Sequence, residues 1–323
     1  MWRALSLIAA LVAQFMIAQI AIAQSALAAD KLKVAIGQID AWANMMPTLG
    51  MKAGIFQKHG IELENFGTQG AGETLQAVIS GSADLGIGVG TSGAMRAFVK
   101  GAPIRVISSG YTGVQDQFWY VPANSPLKSL ADATDKQTMS YSTNGSTSHN
   151  IALGFVKQLG VKAKPTATGG PPATLTMTMS GQIDIGWAVV PFALSELQEG
   201  KIRLIARGSD VPSLKDQTVR VQIVNADALK AKKDVFVRFM RAYRETLDWM
   251  YTSPDAVKMY AEIIKKPESL VVFQRDQFNP KEAMLPDRLS DLDGAMKDAV
   301  DVKFLDAPLT KEQLNELFQI PPA

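Results

Sequence analysis

The chain has 323 residues, with 33 Lys and Arg against 31 Asp and Glu, a formal net charge of +2 and no cysteine. A nearly neutral chain gives no electrostatic case for binding nucleic acid or an anionic membrane surface. The absence of cysteine excludes disulfides and thiol nucleophiles. The length is sufficient for two lobes that each have their own core.

The first 28 residues have the pattern of a secretory signal peptide. Arg3 is their only charged residue, an apolar run follows over residues 4–23, and Ala26-Leu27-Ala28 fits the small-residue motif before a cleavage site. The run is also long enough to span a bilayer, so a retained anchor is the alternative. Cleavage removes Arg3, which lowers the net charge from +2 to +1. We expect residues 29–323 to be periplasmic and not lipid-anchored, because lipid attachment needs a cysteine.

From residue 32 onward, short apolar runs alternate with helical patterns. Strands separated by helices of this length are typical of βαβ units, so we predict an α/β protein with largely parallel sheets. The first half is predicted to contain strand 32–36, helix 47–59 ending at Gly60, strand 61–66, helix 73–79, strand 84–89, helix 92–100 and strand 105–109.

The second half continues with helix 150–159 and strands near 202–206 and 219–224, and the rest is mostly helical. Asn225, Ser253 and Thr310 are predicted helix N-caps, and Gln313 completes a capping box with Thr310. Apolar residues at helical spacing predict a buried helix face: Val235, Phe236, Phe239, Met240, Tyr243, Leu247, Met250 and Tyr251.

An internal repeat relates the two halves. Residues 72–86 and 172–186 agree at six of fifteen positions with an offset of 100, namely Thr74/Thr174, Leu75/Leu175, Ser80/Ser180, Gly81/Gly181, Asp84/Asp184 and Gly86/Gly186. Glycines 54, 60 and 70 have counterparts at the same offset. The chain is therefore predicted to contain two similar α/β units, in which the two aspartates cap turns and carry no chemistry.

Sets of residues suited to catalysis are scarce. The chain has two histidines, His59 and His149, without a Gly-x-Ser-x-Gly elbow or enough ligands for zinc. One motif favours an enzyme, because Gly88 to Gly93 match the G-x-G-x-x-G of dinucleotide-binding sites. It follows the third strand of its unit, however, and strand 105–109 ends without the expected acidic residue. We predict no enzyme, no metal and no cofactor, with a nucleotide-dependent oxidoreductase as an alternative.

Loops that follow the strands are the candidate binding site. Such loops meet at the carboxyl edge of a parallel sheet, where helix N-termini offer free backbone N–H groups and glycine allows a ligand to approach closely. The predicted ligand-binding residues are Asp40, Ala41, Trp42, Gly70, Ala71, Gly90, Thr91, Ser92, Asn144, Ser146, Thr147, Ser148, His149, Gly170, Val190 and Phe192. Asp40 and Asp116 would oppose an anion if they faced the cleft, and Arg96 is the one cation near a candidate loop.

Several segments together resemble the taurine/sulfonate/nitrate-type periplasmic substrate-binding proteins of ABC importers, a group that includes binders of thiamine-pyrimidine precursors. The matching segments are LKVAIGQ, PTLGMKAGIFQKHGIELE, GAGETLQAVISGSADLGIGVGTSGA, SPLKSLADATDKQTMSYSTNGSTSH and GGPPATLTMTMSGQIDIGWAVVPF. The resemblance covers nearly all of residues 31–250 and is specific to the family but not to a ligand. Enzymes in this group use cysteines that this chain lacks.

The resemblance implies a type II periplasmic-binding-protein fold with chain crossings near residues 111–121 and 206–221. The first lobe is then expected to comprise residues 29–115 plus 212–323, and the second lobe residues 116–211. We expect a monomer. The resemblance implies that its partners are a small molecule, an ABC permease and its ATPase. We expect hinge closure on a small carboxylate or sulfonate, aromatic ones included; the alternative ligand is a pyrimidine or vitamin precursor. A sensor module that signals to a membrane receptor would have the same sequence features.

Overall fold

The computed structural model describes residues 29–322, so the predicted signal peptide lies outside the described residues. Its strands are β1 Asp30–Gly37, β2 Ile61–Thr68, β3 Leu85–Gly90, β4 Ile104–Thr112, β5 Gln117–Pro122, β6 Thr138–Tyr141, β7 Lys164–Ala167, β8 Gly186–Val189, β9 Ile202–Arg207 and β10 Thr218–Asn225. The α-helices of the first 200 residues are α1 Met46–Lys52, α2 Ile55–Lys58, α3 Ala71–Ile79, α4 Thr91–Val99, α5 Thr147–Leu159, α6 Pro171–Met179 and α7 Leu194–Gln198. The later helices are α8 Ala226–Ala231, α9 Lys233–Thr252, α10 Pro254–Ile264, α11 Glu268–Phe278, α12 Leu292–Asp301 and α13 Lys311–Leu317.

The first lobe is built on a five-stranded sheet in the order β2-β1-β3-β10-β4. Strands β1, β2 and β3 pair in parallel, whereas β10 runs antiparallel between β3 and β4. Every residue of β3 is buried, as expected for a central strand covered by helices on both faces. Strand β10 returns from the far end of the second lobe, so the first lobe is assembled from two separate stretches of the chain.

The second lobe repeats this order with shorter strands. Strands β8, β5 and β9 form an antiparallel sheet, and β6 pairs in parallel with β7. A parallel bridge between Met139 and Ile185 links the two pieces, which gives the order β7-β6-β8-β5-β9. Strand β5 thus occupies the position of β10 in the first lobe.

The chain crosses between the lobes twice. The first crossing lies between the end of β4 at Thr112 and the start of β5 at Gln117, and the second lies between β9 and β10, over residues 208–217. Two mixed α/β lobes joined by two crossings are the predicted type II fold, which the structure therefore confirms.

Hydrogen bonds at matching positions show that the sequence repeat is a structural repeat. Helices α3 and α6 begin at Ala71 and Pro171, one hundred residues apart. The Thr74 hydroxyl lies 2.7 Å from that of Thr68 and donates to the Gly70 carbonyl, and Thr174 does the same with Thr168 and Gly170. The prediction of two similar units is confirmed.

The paired aspartates do not act through turn capping alone. Asp84 accepts the backbone N–H of Lys33 at 2.9 Å, and Asp184 accepts that of Thr138 at 2.8 Å. The Asp84 carboxylate therefore ties the start of β3 to β1, and the Asp184 carboxylate ties the start of β8 to β6.

The C-terminal region is helical, and its predicted caps are confirmed. Asn225 and Ser253 accept N–H groups of the helices that follow them, and Thr310 forms a capping box with Gln313. The predicted apolar face of α9 is buried except at Tyr251, which is partly buried. Helices α9, α10, α12 and α13 pack on the first lobe. Helix α11 packs on both lobes: Val271 lies in the first-lobe core, and Leu270 and Phe278 lie in a cluster with second-lobe side chains such as Phe118.

One predicted helix is divided. The pattern over 47–59 predicts a single helix, but α1 ends at Lys52 and α2 starts at Ile55. Gly54 has a left-handed φ of 76°, a conformation that interrupts a helix and that glycine adopts at little cost. Within residues 29–322, no helix combines the length and the apolar character needed to cross a membrane.

Candidate functional site

A small polar cavity lies between the two lobes. Its volume is about 20 Å³, which is room for one or two water-sized groups. The first lobe contributes Gln38, Ala71, Gly88 and Arg220, and the second contributes Gln117, Ser142, Ser146, Thr147, Ser148, Trp187 and Val189. Of the predicted residues, the structure brings Ala71, Ser146, Thr147 and Ser148 together at this cavity.

Two helices from opposite lobes begin at the cavity wall. Gly70 precedes α3, and Ser146 is the N-cap of α5, where its hydroxyl accepts the His149 N–H at 3.2 Å. The Ser148 hydroxyl accepts the Ser142 N–H at 2.9 Å. Helix N-termini carry a partial positive charge, so both lobes present electropositive backbone to the same small space.

Three buried polar atoms of cavity-lining side chains have no hydrogen-bond partner among the described residues. They are the donors Nε of Arg220 and Nε1 of Trp187, and the acceptor Oε1 of Gln117. These side chains belong to residues that are only 6%, 2% and 3% exposed, respectively. A buried polar group without a partner costs free energy, and a polar group in this cavity could provide partners for these three atoms.

Arg220 lines the central cavity but is not among the residues that the sequence predicts there. It is the one charged side chain of β10, whose other residues are apolar or uncharged polar and are buried except for Asn225 at the end. Arg220 forms an ion pair with the buried Asp116. Its guanidinium also lies 4.3 Å from the centre of the Tyr111 ring. A charged residue in the middle of a buried strand is costly unless it is paired or functional, and that signal was available in the sequence.

Asp116 does not face a ligand as a free charge. Its carboxylate is engaged by Arg220, and burial raises its pKa above the usual value. Arg96, the cation that the sequence places near a candidate loop, lies 5.2 Å from the ring centre of Phe304 instead of at the cavity.

The glycine motif 88–93 is used for packing between and within lobes. The Gly88 N–H donates to Oε1 of Gln222 at 2.8 Å, and the Thr91 hydroxyl donates to the Thr218 carbonyl at 2.6 Å. Ser92 accepts a hydrogen bond from Asn150 of the second lobe at 2.8 Å. Gly90 and Gly93 lie against the backbone of Gly145. The space that a pyrophosphate would need at this turn is filled by protein backbone.

His149 and Asn144 lie beside the cavity and support its second-lobe loop. The His149 ring stacks on Tyr141 with centroids 4.0 Å apart, and its Nδ1 accepts the Gly145 N–H at 3.2 Å. Burial lowers the pKa of His149 to about 4, so the ring is neutral near pH 7. Asn144 accepts the Tyr141 hydroxyl at 2.7 Å.

The remaining predicted residues lie outside the central cavity. Asp40 and Phe192 line a second interlobe cavity of about 210 Å³, where burial raises the pKa of Asp40. Gly170 precedes α6 next to this cavity, and Val190 is buried. Trp42 is fully buried in the first-lobe core, where it donates to the Tyr251 hydroxyl at 3.1 Å, and Ala41 is buried against second-lobe side chains.

Metal-binding chemistry has no support in residues 29–322, which contain no cluster of three or more His, Cys, Asp or Glu side chains that could hold an ion. The donor set of the cavity consists of hydroxyls, amides, an indole and one arginine that is paired with an aspartate. This set can hold a small polar or anionic group by hydrogen bonds and offers no activated nucleophile.

Comparison with solved structures places the fold among periplasmic binding proteins. The alkanesulfonate-binding protein SsuA of Xanthomonas axonopodis pv. citri, solved bound to MOPS, aligns with a TM-score of 0.73 at 17% identity over 90% of this chain and 98% of that one. SsuA of Escherichia coli gives 0.65 at 19% identity over 91% and 93%. The nitrate-binding protein NrtA of Synechocystis PCC 6803 gives 0.67 at 13% identity over 90% and 86%. At these low identities, the TM-scores show similarity of fold alone.

Sequence comparison identifies the family. No curated protein sequence matches the chain. The family model described as NMT1/THI5 like matches residues 44–257, which is more than half of the chain and includes both halves of the repeat and all residues that line the central cavity except Gln38. The chain therefore belongs to the NMT1/THI5-like family.

Proposed function

We propose that this chain is the extracytoplasmic solute-binding component of an ABC importer and that it captures a small organic carboxylate or sulfonate without chemical conversion. The observation that carries the proposal is the interlobe cavity with its unpartnered buried groups on Arg220, Trp187 and Gln117. Membership of the family and the shared fold with periplasmic binding proteins support the transport role. The proposed location is the periplasm, and the proposed partners are a permease and its ATPase.

An anionic head group fits the donors of the cavity. Arg220 Nε and Trp187 Nε1 come from opposite lobes, and the N-termini of α3 and α5 add backbone dipoles of the same sign. Each exposed helix N-terminus stabilises an anion by about 0.3–1 kcal/mol, with up to about 2 kcal/mol when partly buried. Asp116 offsets the charge of Arg220, so the site favours hydrogen bonding to a compact, weakly charged group over attraction of a highly charged one.

The size of the cavity supports capture by closure. The described arrangement leaves about 20 Å³, too little for a whole organic molecule, so the lobes would separate to admit the ligand and close again around its head group. We propose lobes of residues 29–115 plus 212–323 and of 116–211, hinged at the two crossings. A ligand that contacts both lobes binds the closed state better than the open one, and this difference shifts the population toward closure.

Two tryptophans that face each other across β5 and β8 provide a matched test. Trp187 has an unpartnered indole N–H at the cavity, whereas Trp119 donates its own to the Ser140 carbonyl at 2.9 Å inside the second-lobe core. Trp187→Phe should therefore weaken ligand binding with little loss of stability. Trp119→Phe should lower the thermal midpoint with little effect on affinity.

The experiment is calorimetric titration of both variants and the unsubstituted chain with ethanesulfonate, benzoate and MOPS. We expect the affinity for at least one of these ligands to fall about tenfold in Trp187→Phe, the effect of losing one hydrogen bond to a charged group. Binding only of cationic or neutral molecules would contradict the anion proposal. Equal affinities of the two variants would contradict the assigned site.

A pyrimidine precursor is the second candidate ligand, because Gln117 Oε1 is an unpartnered acceptor. A sulfonate or carboxylate has no hydrogen to donate to it, whereas an aminopyrimidine has both donors and acceptors. Thermal-shift measurements with 4-amino-5-hydroxymethyl-2-methylpyrimidine separate the two: a clear rise in the midpoint with this compound and none with the anions would favour the pyrimidine. NAD and NADP should cause no shift, since backbone fills the glycine turn.

A further inference from the structure

Three glycines form a direct backbone contact between the lobes. Gly90 and Gly93 lie at the start of α4 in the first lobe, and the Gly145 carbonyl of the second lobe points at both. A Cβ on Gly93 would lie 2.7 Å from that oxygen, and a Cβ on Gly90 would overlap it and come within 3.1 Å of the Ser146 Cα. Because these neighbours are backbone atoms, a small rotation of a side chain would not relieve the clash.

Glycine at position 93 is unfavourable for the stability of helix α4. It lies in the first turn of α4, where glycine stabilises a helix less than alanine does because it loses more backbone freedom on folding. Its φ is not positive, so the helix itself does not require glycine there. The approach of Gly145, whose own φ is +80°, is the feature in the structure that requires a missing side chain.

Hydrogen bonds on either side of this contact also join the lobes. Asn150 Nδ2 donates to the Ser92 hydroxyl at 2.8 Å, and the Gly72 N–H donates to the Thr143 hydroxyl at 3.0 Å. The contact therefore belongs to a continuous seam along the side of the cavity, and the distance between the lobes along the seam is set by backbone meeting backbone.

We propose that Gly90, Gly93 and Gly145, the glycine contact, are positioning residues that fix how closely the lobes approach and thereby set the affinity for the ligand. They do not touch the ligand. The inference rests on the proposed function, because it assigns these residues a part in closure around the cavity. It also accounts for Gly90 and Gly93, the last two glycines of the G-x-G-x-x-G motif, without a nucleotide.

The main variant is Gly93→Ala, with Lys100→Ala at the exposed end of the same helix as the matched control. In Gly93→Ala, the new methyl group would hold the lobes apart, so the affinity measured by calorimetry for the best binder among ethanesulfonate, benzoate and MOPS should fall about tenfold or more. The thermal midpoint without ligand should be unchanged or raised, because alanine is the better helix former. Ser92→Ala should give a smaller loss of affinity, because it removes one hydrogen bond and adds no clash.

A distance measurement gives a readout that a general loss of stability would not change. Because the chain lacks cysteine, Lys52→Cys in the first lobe and Asp135→Cys in the second can be spin-labelled without background, and both positions are exposed. Pulsed electron paramagnetic resonance should show a smaller fraction of the short interlobe distance in Gly93→Ala than in the parent, with and without ligand.

The outcomes separate the two proposals. Equal short-distance fractions and equal affinities in Gly93→Ala and its parent would overturn the glycine contact while leaving ligand capture intact. A parent protein that shows no short distance under any condition, or that binds none of the anions or the pyrimidine, would overturn the proposed function and this inference with it.

Discussion

The two lobes share a set of equivalent hydrogen bonds but differ in the lengths of their strands. Thr74 and Thr174 make the same pair of hydrogen bonds, and Asp84 and Asp184 tie equivalent strands together. The strands differ: β1 and β2 have eight residues each, whereas their counterparts β6 and β7 have four. The matching parts are loops and helix starts at the edge of each sheet, and the differing parts are the lengths of the strands behind them.

The comparison of the lobes separates the part of the repeat that positions the helices from the side chains that line the central cavity. The shared hydrogen bonds fix the N-termini of α3 and α6 relative to their sheets, and α3 begins at the central cavity. The unpartnered polar groups are not shared, since Arg220 comes from the first lobe, and Trp187 and Gln117 come from the second. The two halves of the repeat therefore carry different side chains at the central cavity, which is consistent with the proposed capture of an asymmetric molecule.

Removing one partner of the buried ion pair between the first crossing and β10 should have the largest effect. Asp116→Ala leaves the guanidinium of Arg220 buried without its partner, so we expect a loss of about 3–5 kcal/mol in the free energy of unfolding, measured by urea denaturation. The double variant Asp116→Leu with Arg220→Met should recover much of this stability while losing ligand binding. A single variant whose free energy of unfolding lies within about 1 kcal/mol of the parent's would contradict a buried ion pair between Asp116 and Arg220.

Alanine substitution should destabilise the protein more at Gly186, which lies under α6, than at its counterpart Gly86, which lies under α3. A Cβ on Gly186 would lie 2.6 Å from Tyr120 Cε2 and 2.7 Å from Thr178 Oγ1, whereas a Cβ on Gly86 would lie 2.9 Å from its nearest atom, a Val78 methyl carbon. We expect about 2–3 kcal/mol of destabilisation for Gly186→Ala and about 1 kcal/mol for Gly86→Ala, from the cost of overpacking. Chemical denaturation of both variants measures the difference, and the reverse order would contradict the tighter packing of the second lobe.

Substitution of the equivalent residues Thr74 and Thr174 should instead cause similar losses of stability. Thr74→Val and Thr174→Val each remove a buried hydroxyl that contacts a second threonine and a carbonyl, so each should cost about 1 kcal/mol. Midpoints of urea unfolding measure the two losses. A difference of more than about 1 kcal/mol between the two losses would mean that the equivalent hydrogen bonds of Thr74 and Thr174 do not contribute equally to stability.

His149 has no histidine counterpart in the first lobe and should make the stability of the second lobe depend on pH. Burial lowers its folded pKa from 6.5 to about 4, so the unfolded chain takes up a proton first as the pH falls. Stability should be fully present above about pH 6.5 and decline toward pH 4. His149→Gln should flatten the thermal midpoint between pH 6.5 and 5, with His59→Gln as the control. Parallel curves for the parent and His149→Gln would contradict a buried neutral ring.

Local patterns predicted the frame well because helix caps, turn glycines and apolar periodicity act over a few residues. The caps at Asn225, Ser253 and Thr310 and the repeat itself are of this kind. The division of helix 47–59 at Gly54 was missed because the apolar spacing continues through the break, although glycine offers the signal.

The cavity could be predicted only in part. Ala71 and Ser146 to Ser148 follow from the rule that loops meet at the carboxyl edge of a sheet. Arg220 was missed because β10 reaches the site from more than one hundred residues beyond β3, and strand order is a long-range property. Trp42 was placed at the ligand because an aromatic residue beside a loop can point either way, and here the first-lobe core buries it.

The most direct test of ligand capture between unlike lobes is a crystal structure of freshly purified protein with its retained ligand. We predict an oxygen of a carboxylate or sulfonate within about 3 Å of both Arg220 Nε and Trp187 Nε1. A ligand bound to one lobe alone, or outside the space between Arg220 and Trp187, would contradict it.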